Sequence, residues 1–272
     1  MLLFWPAQFW GLDTSTICLL LLGGLVAGFI NTLAANGSAV SLLMMSSLDI
    51  STSMANATNR VGVLVQSAVS SLTYKHAQEH KVAFNFLPKV IYSCIGSVLG
   101  AQCASFMPRQ WLEYSVAGLM LFLLWLVWSE PQKWLKTTSE PQKLAWYEDL
   151  LIFLGIGFYG GYIQMGVGAL LFVALVRGCG LSIKDANLFK NSLVFFFTIP
   201  AFLVFVWNKQ IHWPVGIVLV FGQSLGAWLA ARFGSKHPQA SKIVRYLLII
   251  CIVAGFFLYS GLLAWLWELK KA

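Results

Sequence analysis

Charge is scarce in this chain. Only 10% of its residues are Asp, Glu, Lys or Arg, where a soluble domain carries about 25%. That is too little to cover a globular surface. Signatures of common chemistry are missing too. No Walker A glycine–lysine motif occurs, so ATP is not expected to drive the chain by itself. There is no G-x-S-x-G elbow and no HExxH. The 10 acidic residues fall near segment ends or in loops, which argues against an intramembrane carboxylate pair for proteolysis. The start, Met1-Leu-Leu-Phe-Trp-Pro6, has no positive n-region, and no cleavable signal peptide is expected. Cys18, Cys94, Cys103, Cys179 and Cys251 lie in apolar stretches without CxxC spacing and read as small buried apolar residues.

What the chain has instead is apolar length. It is 58% hydrophobic with 12 Trp, and its mean hydropathy is +0.75. Its apolar runs reach about 17 to 25 residues, long enough to cross a bilayer. About eight such segments are visible, near 16–47, 50–74, 82–106, 110–129, 149–178, 187–207, 211–234 and 242–267. The +8 charge is dispersed among the loops. That suits anionic lipid headgroups and does not suggest nucleic acid.

Three blocks recur in the same order. Gly24-x-x-x-Gly28 is answered by Gly157-x-x-x-Gly161, Ala55-Asn-Ala-Thr-Asn-Arg60 by Ala186-Asn-Leu-Phe-Lys-Asn191, and Gly96-Ser-Val-Leu-Gly-Ala101 by Gly222-Gln-Ser-Leu-Gly-Ala227. Between the two sets lies a polar, proline-bearing stretch, Ser129 to Lys143, that repeats Ser-Glu-Pro-Gln-Lys within itself. The expected organisation is a first helical repeat at 1–128, a polar linker at 129–148 and a second helical repeat at 149–272. Duplicated apolar halves with internal polar residues are the pattern of a secondary transporter. The fold expected is an all-α polytopic membrane protein of two homologous helical repeats.

The first segment of each half is too long for one straight span: residues 16–47 would extend about 48 Å against a hydrocarbon core of about 30 Å. Small residues sit mid-segment, Ala34-Ala-Asn-Gly-Ser-Ala39 in one half and Gly166-Val-Gly-Ala169 in the other. A broken or re-entrant helix is expected in each. Irregular backbone at membrane depth survives only where protein or a water-filled cavity satisfies it, so the breaks are the first candidates for a binding site. Simple spans and re-entrant hairpins give different orientations, and the loop charges do not separate them.

The candidate substrate-binding residues follow from these breaks. Asn36, Gly37 and Ser38 in the first half, and Gln164, Gly166 and Gly168 in the second, offer backbone and side-chain donors to a small oxyanion. Asn56, Asn59 and Arg60 share one helix face, and Lys190 and Asn191 stand in the matching block. Cations at such depth usually face a bundle interior; snorkelling, or pairing with Asp49 and Asp185, is the alternative. Asn31 and Gln66 are polar groups within apolar runs, and hydrogen bonds across helices would account for either. The glycine pairs read as close-packing sites between helices. His76-Ala-Gln-Glu-His80 matches an H-x-x-E-H pattern, and a membrane metalloenzyme is the alternative function it suggests. A catalytic zinc needs three protein ligands, and no third is evident, so no metal or other cofactor is expected.

Ala27-Gly-Phe-Ile-Asn-Thr-Leu-Ala-Ala-Asn-Gly-Ser-Ala39 resembles the first-repeat signature of the TauE/SafE sulfite-exporter family, also called the TSUP family. Gly157-Phe-Tyr-Gly-Gly-Tyr-Ile-Gln-Met-Gly-Val-Gly-Ala169 is similar to its second signature. The resemblance covers roughly residues 16–262. It departs where family members commonly carry a glycine run in place of Ala35-Asn36-Gly37-Ser38 and an aspartate in place of Asn31. The resemblance implies a multi-pass carrier in the bacterial cytoplasmic membrane. Its cargo would be sulfite, organosulfonates or a related small organic anion, exported by alternating access. Proton coupling and homo-oligomerisation remain open, and no enzymatic activity is expected.

Overall fold

The structure, a computed structural model, describes residues 8–9, 11–34, 37–76, 84–108, 110–116, 118 and 145–236. Asn36, Glu79, His80, Cys251, most of the polar linker and the last apolar segment lie outside the described residues. A short antiparallel pair, β1 (Gln8–Phe9) and β2 (Leu12–Asp13), precedes α1 (Thr14–Ala34). There follow α2 (Gly37–Ser46), α3 (Thr52–His76) and α4 (Phe86–Phe106), then a helical stretch at 110–116. Next come α5 (Trp146–Tyr162), α6 (Val167–Val173) running into one π turn (Ala174–Gly178), α7 (Ile183–Trp207) and α8 (Trp213–Lys236).

The polarity of the bundle is inverted relative to a soluble protein. Leu22 is 66% exposed and Leu87 68%, while Arg60 is 0% and Lys190 1% exposed. On α4 the exposed residues Leu87, Ile91, Ile95 and Leu99 fall every four positions, forming one outward apolar stripe. Such a surface is soluble only in lipid. Among the described residues four helical stretches are long and apolar enough to span: Thr14–Leu33, Phe86–Phe106, Asp185–Trp207 and Trp213–Phe233. Exposed aromatics mark both ends of the bundle, with Trp146 and Tyr147 opening α5 and Trp207 and Trp213 flanking the α7–α8 turn. Amphipathic rings favour this headgroup level.

Helix direction follows from which residues meet. Gly37 abuts Ala27 and Asn31, and Met44 abuts Gly23, so α2 runs back along α1. Gly24 and Gly28 lie against Gly222 and Gln223, so α1 and α8 are parallel. His212 donates its backbone N–H to Thr58 Oγ1 at 2.9 Å, and Tyr74 packs with Ala231, so α3 runs the same way as α8. Gly96 and Gly100 of α4 lie against Leu154 and Phe158 of α5 in the same order. Ser97 bonds Phe197, and Gln210 just beyond α7 bonds Ser105, so α4, α5 and α7 are parallel too. The two sets oppose each other: Arg60 stacks over Phe205 while Ser71 bonds Ser192, so α3 and α7 are antiparallel.

The glycine pairs act where the parallel helices touch. A methyl group on Gly28 would overlap the Gln223 carbonyl, and one on Gly100 would overlap the Phe158 carbonyl. Close backbone approach between lipid-embedded helices requires such small residues.

Pro200 sits inside α7. It has no N–H for the Phe196 carbonyl four residues earlier. That carbonyl instead accepts a weak Cys94 Sγ–H bond at 3.5 Å, and the neighbouring Phe197 carbonyl accepts from Ser97 Oγ at 2.8 Å. The reading of the cysteines as small buried residues therefore needs correction. Cys94 is a half-buried donor that patches a proline gap, and Cys18 lies exposed on the apolar face.

Candidate functional site

The second break is local and well defined. α5 ends at Tyr162, Ile163 is extended (φ −140°, ψ 115°), and Gly166 takes φ 74°, the left-handed region that favours glycine. The last four carbonyls of a helix have no intrahelical donor. Here each finds one. Tyr159 O accepts from Ile163 N–H. Gly160 O and Gly161 O accept from the two terminal nitrogens of Arg60 at 2.5 and 2.7 Å. Tyr162 O accepts from Asn56 Nδ2 at 2.8 Å. Arg60 and Asn56 share a face of α3, so one turn of α3 caps the broken end of α5. The guanidinium also meets the negative end of that helix dipole.

The first break is capped in the same manner from the other side. Lys190 of α7 donates to Thr32 O at 2.7 Å, among the last carbonyls of α1, and to Asn187 Oδ1 at 3.2 Å. The partners of both cations are thus mainly helix-end carbonyls. Sequence offered Asp49 and Asp185 as partners instead. A cation on a helix C-terminus has compensation for its burial that no sequence spacing reveals, because the contacts bridge 100 and 158 positions.

Where the capped ends of α1 and α5 approach each other, a small cavity opens. It is lined by Asn31 of α1, Gln66 and Ser67 of α3, Gln164, Val167 and Gly168 of the second break, and Lys190, Asn191 and Val194 of α7. Asn31 and Gln164 each stand three residues after the second glycine of the matching Gly-x-x-x-Gly pairs. Gln66 and Ser67 lie close to the midpoint of α3. Among the described residues, Lys190 is the charged member of the lining, and no carboxylate joins it. Gln164 Nε2 donates to Thr198 Oγ1 at 2.7 Å, but among the described residues its Oε1 has no partner, and neither does Gln66 Oε1. Both side chains are buried. Unpaired buried polar atoms carry a desolvation cost, and a bound ligand or water relieves it.

Asn31, Gln164, Gly168, Lys190 and Asn191, expected from sequence, therefore come together. Gly166 shapes the adjoining turn. Gly37, Ser38 and Asn59 belong to a different cluster. There Gln223 Nε2 donates to Ser41 Oγ at 2.8 Å and to Asn59 Oδ1 at 3.0 Å, and Gln223 packs against Gly62. Ser38 lies one turn before Ser41 on α2, and Gly37 is wedged against α1. Asn56 and Arg60 are occupied at the end of α5. Ser67, Thr198 and Gln223 were not singled out from the sequence. Hydroxyls and single amides in apolar helices give no sequence signal that distinguishes them from interhelical contacts. His76 is exposed on the last turn of α3.

A family profile for the sulfite exporter TauE/SafE matches residues 20–258. The chain belongs to the TauE/SafE family. It is similar to "Probable membrane transporter protein ORF9" of Sinorhizobium sp., 26% identical over 238 residues covering 88% of this chain and 90% of that protein. A "Probable membrane transporter protein" of Haemophilus influenzae is 24% identical over 231 residues, 84% of this chain and 88% of that one. "Probable membrane transporter protein YfcA" of Escherichia coli K12 is 24% identical over 243 residues, 87% of each. No solved structure matches the chain. This TauE/SafE protein is accordingly a multi-pass membrane transporter of the bacterial cytoplasmic membrane.

Proposed function

We propose that this TauE/SafE protein is a secondary carrier that exports a small sulfur-containing anion, sulfite or an organosulfonate, by alternating access. The observation that carries the reading is the cavity between the ends of α1 and α5, with Lys190, the amides of Asn31, Gln66, Gln164 and Asn191, and no carboxylate among the described residues. An amide-and-ammonium lining supplies donors and one positive charge, the chemistry an oxyanion needs away from water. The family's name supports sulfite as cargo. The cavity has a volume of only about 10 Å³, room for about one water. The cavity must therefore widen to admit an anion of several heavy atoms, as in an occluded stage of a carrier.

Among the described residues, the helix directions support reading the expected halves, 1–128 and 149–272, as related by inversion. α1 and α3 run against their counterparts α5 and α7, and α4 against α8. In each half a long helix is followed by a short return, α2 or α6, that does not cross. Inverted repeats with discontinuous helices are the architecture in which one half rocks against the other around a central site. Arg60 and Lys190 would be the clips that hold each broken helix to the opposite half. Gly37, Ser38 and Asn59 would line a secondary polar cluster on the path.

The test is uptake of radiolabelled sulfite and of taurine, in separate runs, into proteoliposomes of the purified full chain preloaded with the unlabelled compound. Saturable counterflow of either is expected. Uptake that rises linearly with concentration and shows no counterflow would mean a channel. No uptake by inserted, folded protein would remove both compounds as cargo.

A further inference from the structure

Lys190 is the charged side chain among the described residues of the cavity lining, and the groups around its ammonium decide how much of that charge a cargo meets. An ammonium carries three N–H donors. Among the described residues two are spent, one on Thr32 O at 2.7 Å and one on Asn187 Oδ1 at 3.2 Å, which leaves one for the cavity. Asn187 lies one turn before Lys190 on α7, at the i, i+3 spacing that brings side chains together. Its backbone carbonyl also accepts from Asn191 Nδ2 at 2.8 Å. One residue outside the lining thus touches two of the lining side chains. The acceptor it offers Lys190 is a neutral amide. The nearest carboxylate along α7, Asp185, accepts from Ser182 Oγ at the start of that helix.

Resting on the carrier reading, we propose that Asn187 is a positioning residue for the carried anion: its amide oxygen holds the Lys190 ammonium at the cavity wall, and its neutrality leaves the ammonium's charge to the anion. Asn187 acts through Lys190 and does not itself line the cavity. The matching residue of the first half, Asn56, is used with the opposite polarity, since its Nδ2 donates to Tyr162 O. One asparagine of the repeated block closes a helix end, and the other steers a cation. A carboxylate at position 187 would keep the contact and cancel the charge, because opposite charges this close in a poorly solvated interior interact strongly. A leucine there would keep the charge and lose the tether. Neither change removes the backbone carbonyl that holds Asn191, so the pair separates charge from position.

The test is sulfite counterflow in proteoliposomes, with KM and maximal rate measured for the wild type, Asn187→Asp and Asn187→Leu, beside thermal melting of each in detergent. The Asp variant should melt no lower than the wild type, because its carboxylate pairs with a buried ammonium. Its KM for sulfite should nevertheless rise at least about tenfold with a maximal rate within about twofold of the wild type, the pattern of lost binding rather than lost turnover. The Leu variant should melt lower and show a KM raised by about two- to fivefold, the effect of one lost hydrogen bond on the lysine. A residue that only supports α7 gives the reverse order, with Leu impaired and Asp like the wild type. That order overturns the proposal, and so does an Asp variant that melts below the wild type. Wild-type counterflow with an unaltered KM in both variants removes the proposal and leaves the carrier reading standing. Wild-type protein without sulfite counterflow removes both.

Discussion

Replacing Arg60 by methionine keeps an unbranched apolar stem and removes the fork that caps α5. Two carbonyls, Gly160 O and Gly161 O, lose donors at 2.5 and 2.7 Å. Hydrogen bonds from a charged donor contribute about 1.5–3 kcal/mol each, so the gross loss is about 3–6 kcal/mol. Removing a fully buried guanidinium returns part of its desolvation penalty, which leaves a net destabilisation of about 2–3 kcal/mol. At about 2–4 °C per kcal/mol for a chain of this size, the melting temperature should fall by about 4–12 °C. Arg60→Lys retains the charge but offers a point in place of a fork. It should recover about half of the loss. The assay is thermal melting of detergent-solubilised protein, read as the monodisperse fraction surviving each temperature, alongside the KM for uptake. A methionine variant that melts with the wild type would refute the capping argument. So would a lysine variant of normal stability that has lost transport altogether, since Arg60 would then be acting on the substrate.

Other consequences follow from the same contacts. Gly100→Val should prevent α4 from seating on α5, because a Cβ there overlaps the Phe158 carbonyl; the protein should be recovered mostly aggregated in size-exclusion profiles. The double change Cys94→Ala and Ser97→Ala leaves the Phe196 and Phe197 carbonyls beside Pro200 without side-chain donors. It should cost about 1–2 kcal/mol, visible as a lower melting temperature with the same KM. Lys89 and Asp149 pair at 2.6 Å with little exposure, tying the start of α4 to the start of α5. Asp149→Ala alone should destabilise by about 3 kcal/mol because it strands the buried ammonium, and adding Lys89→Met should restore much of that. Equal melting of the single and double variants would contradict a paired role.

Much of this arrangement was written locally in the chain. The break after Tyr162 is legible because Gly166 and Gly168 interrupt an apolar run that is too long for one span, and the glycine pairs announce close helix contacts at four-residue spacing. What those glycines touch was not legible. Gly24 and Gly28 lie against α8, nearly two hundred positions away, because each helix pair joins opposite halves of the chain. The role of Arg60 was hidden for the same reason. Its depth signals an interior partner, but backbone carbonyls carry no sequence signature, so acidic residues and an anionic ligand were the visible choices. Within the candidate cavity, Lys190, Asn191, Gln164, Gly168 and Asn31 stood out because they interrupt apolar or repeated patterns. Ser67 did not, since serine is common in lipid-embedded helices as an ordinary packing residue that bonds its own preceding turn, as Ser67 does with Val63 O.

The most direct test of the central claim, that the cavity between the two helix ends is where the anion is carried, is sulfite counterflow by a Gln164→Leu variant set beside the wild type. Gln164 bonds only Thr198 among the contacts the structure shows, at the rim of the break, so leucine preserves volume and should leave the fold intact, as melting within about 3 °C of the wild type would verify. The account predicts that sulfite counterflow falls at least about tenfold, the effect of one lost buried polar contact to a charged ligand. Undiminished counterflow by this variant, with wild-type KM, would place the anion's path somewhere else.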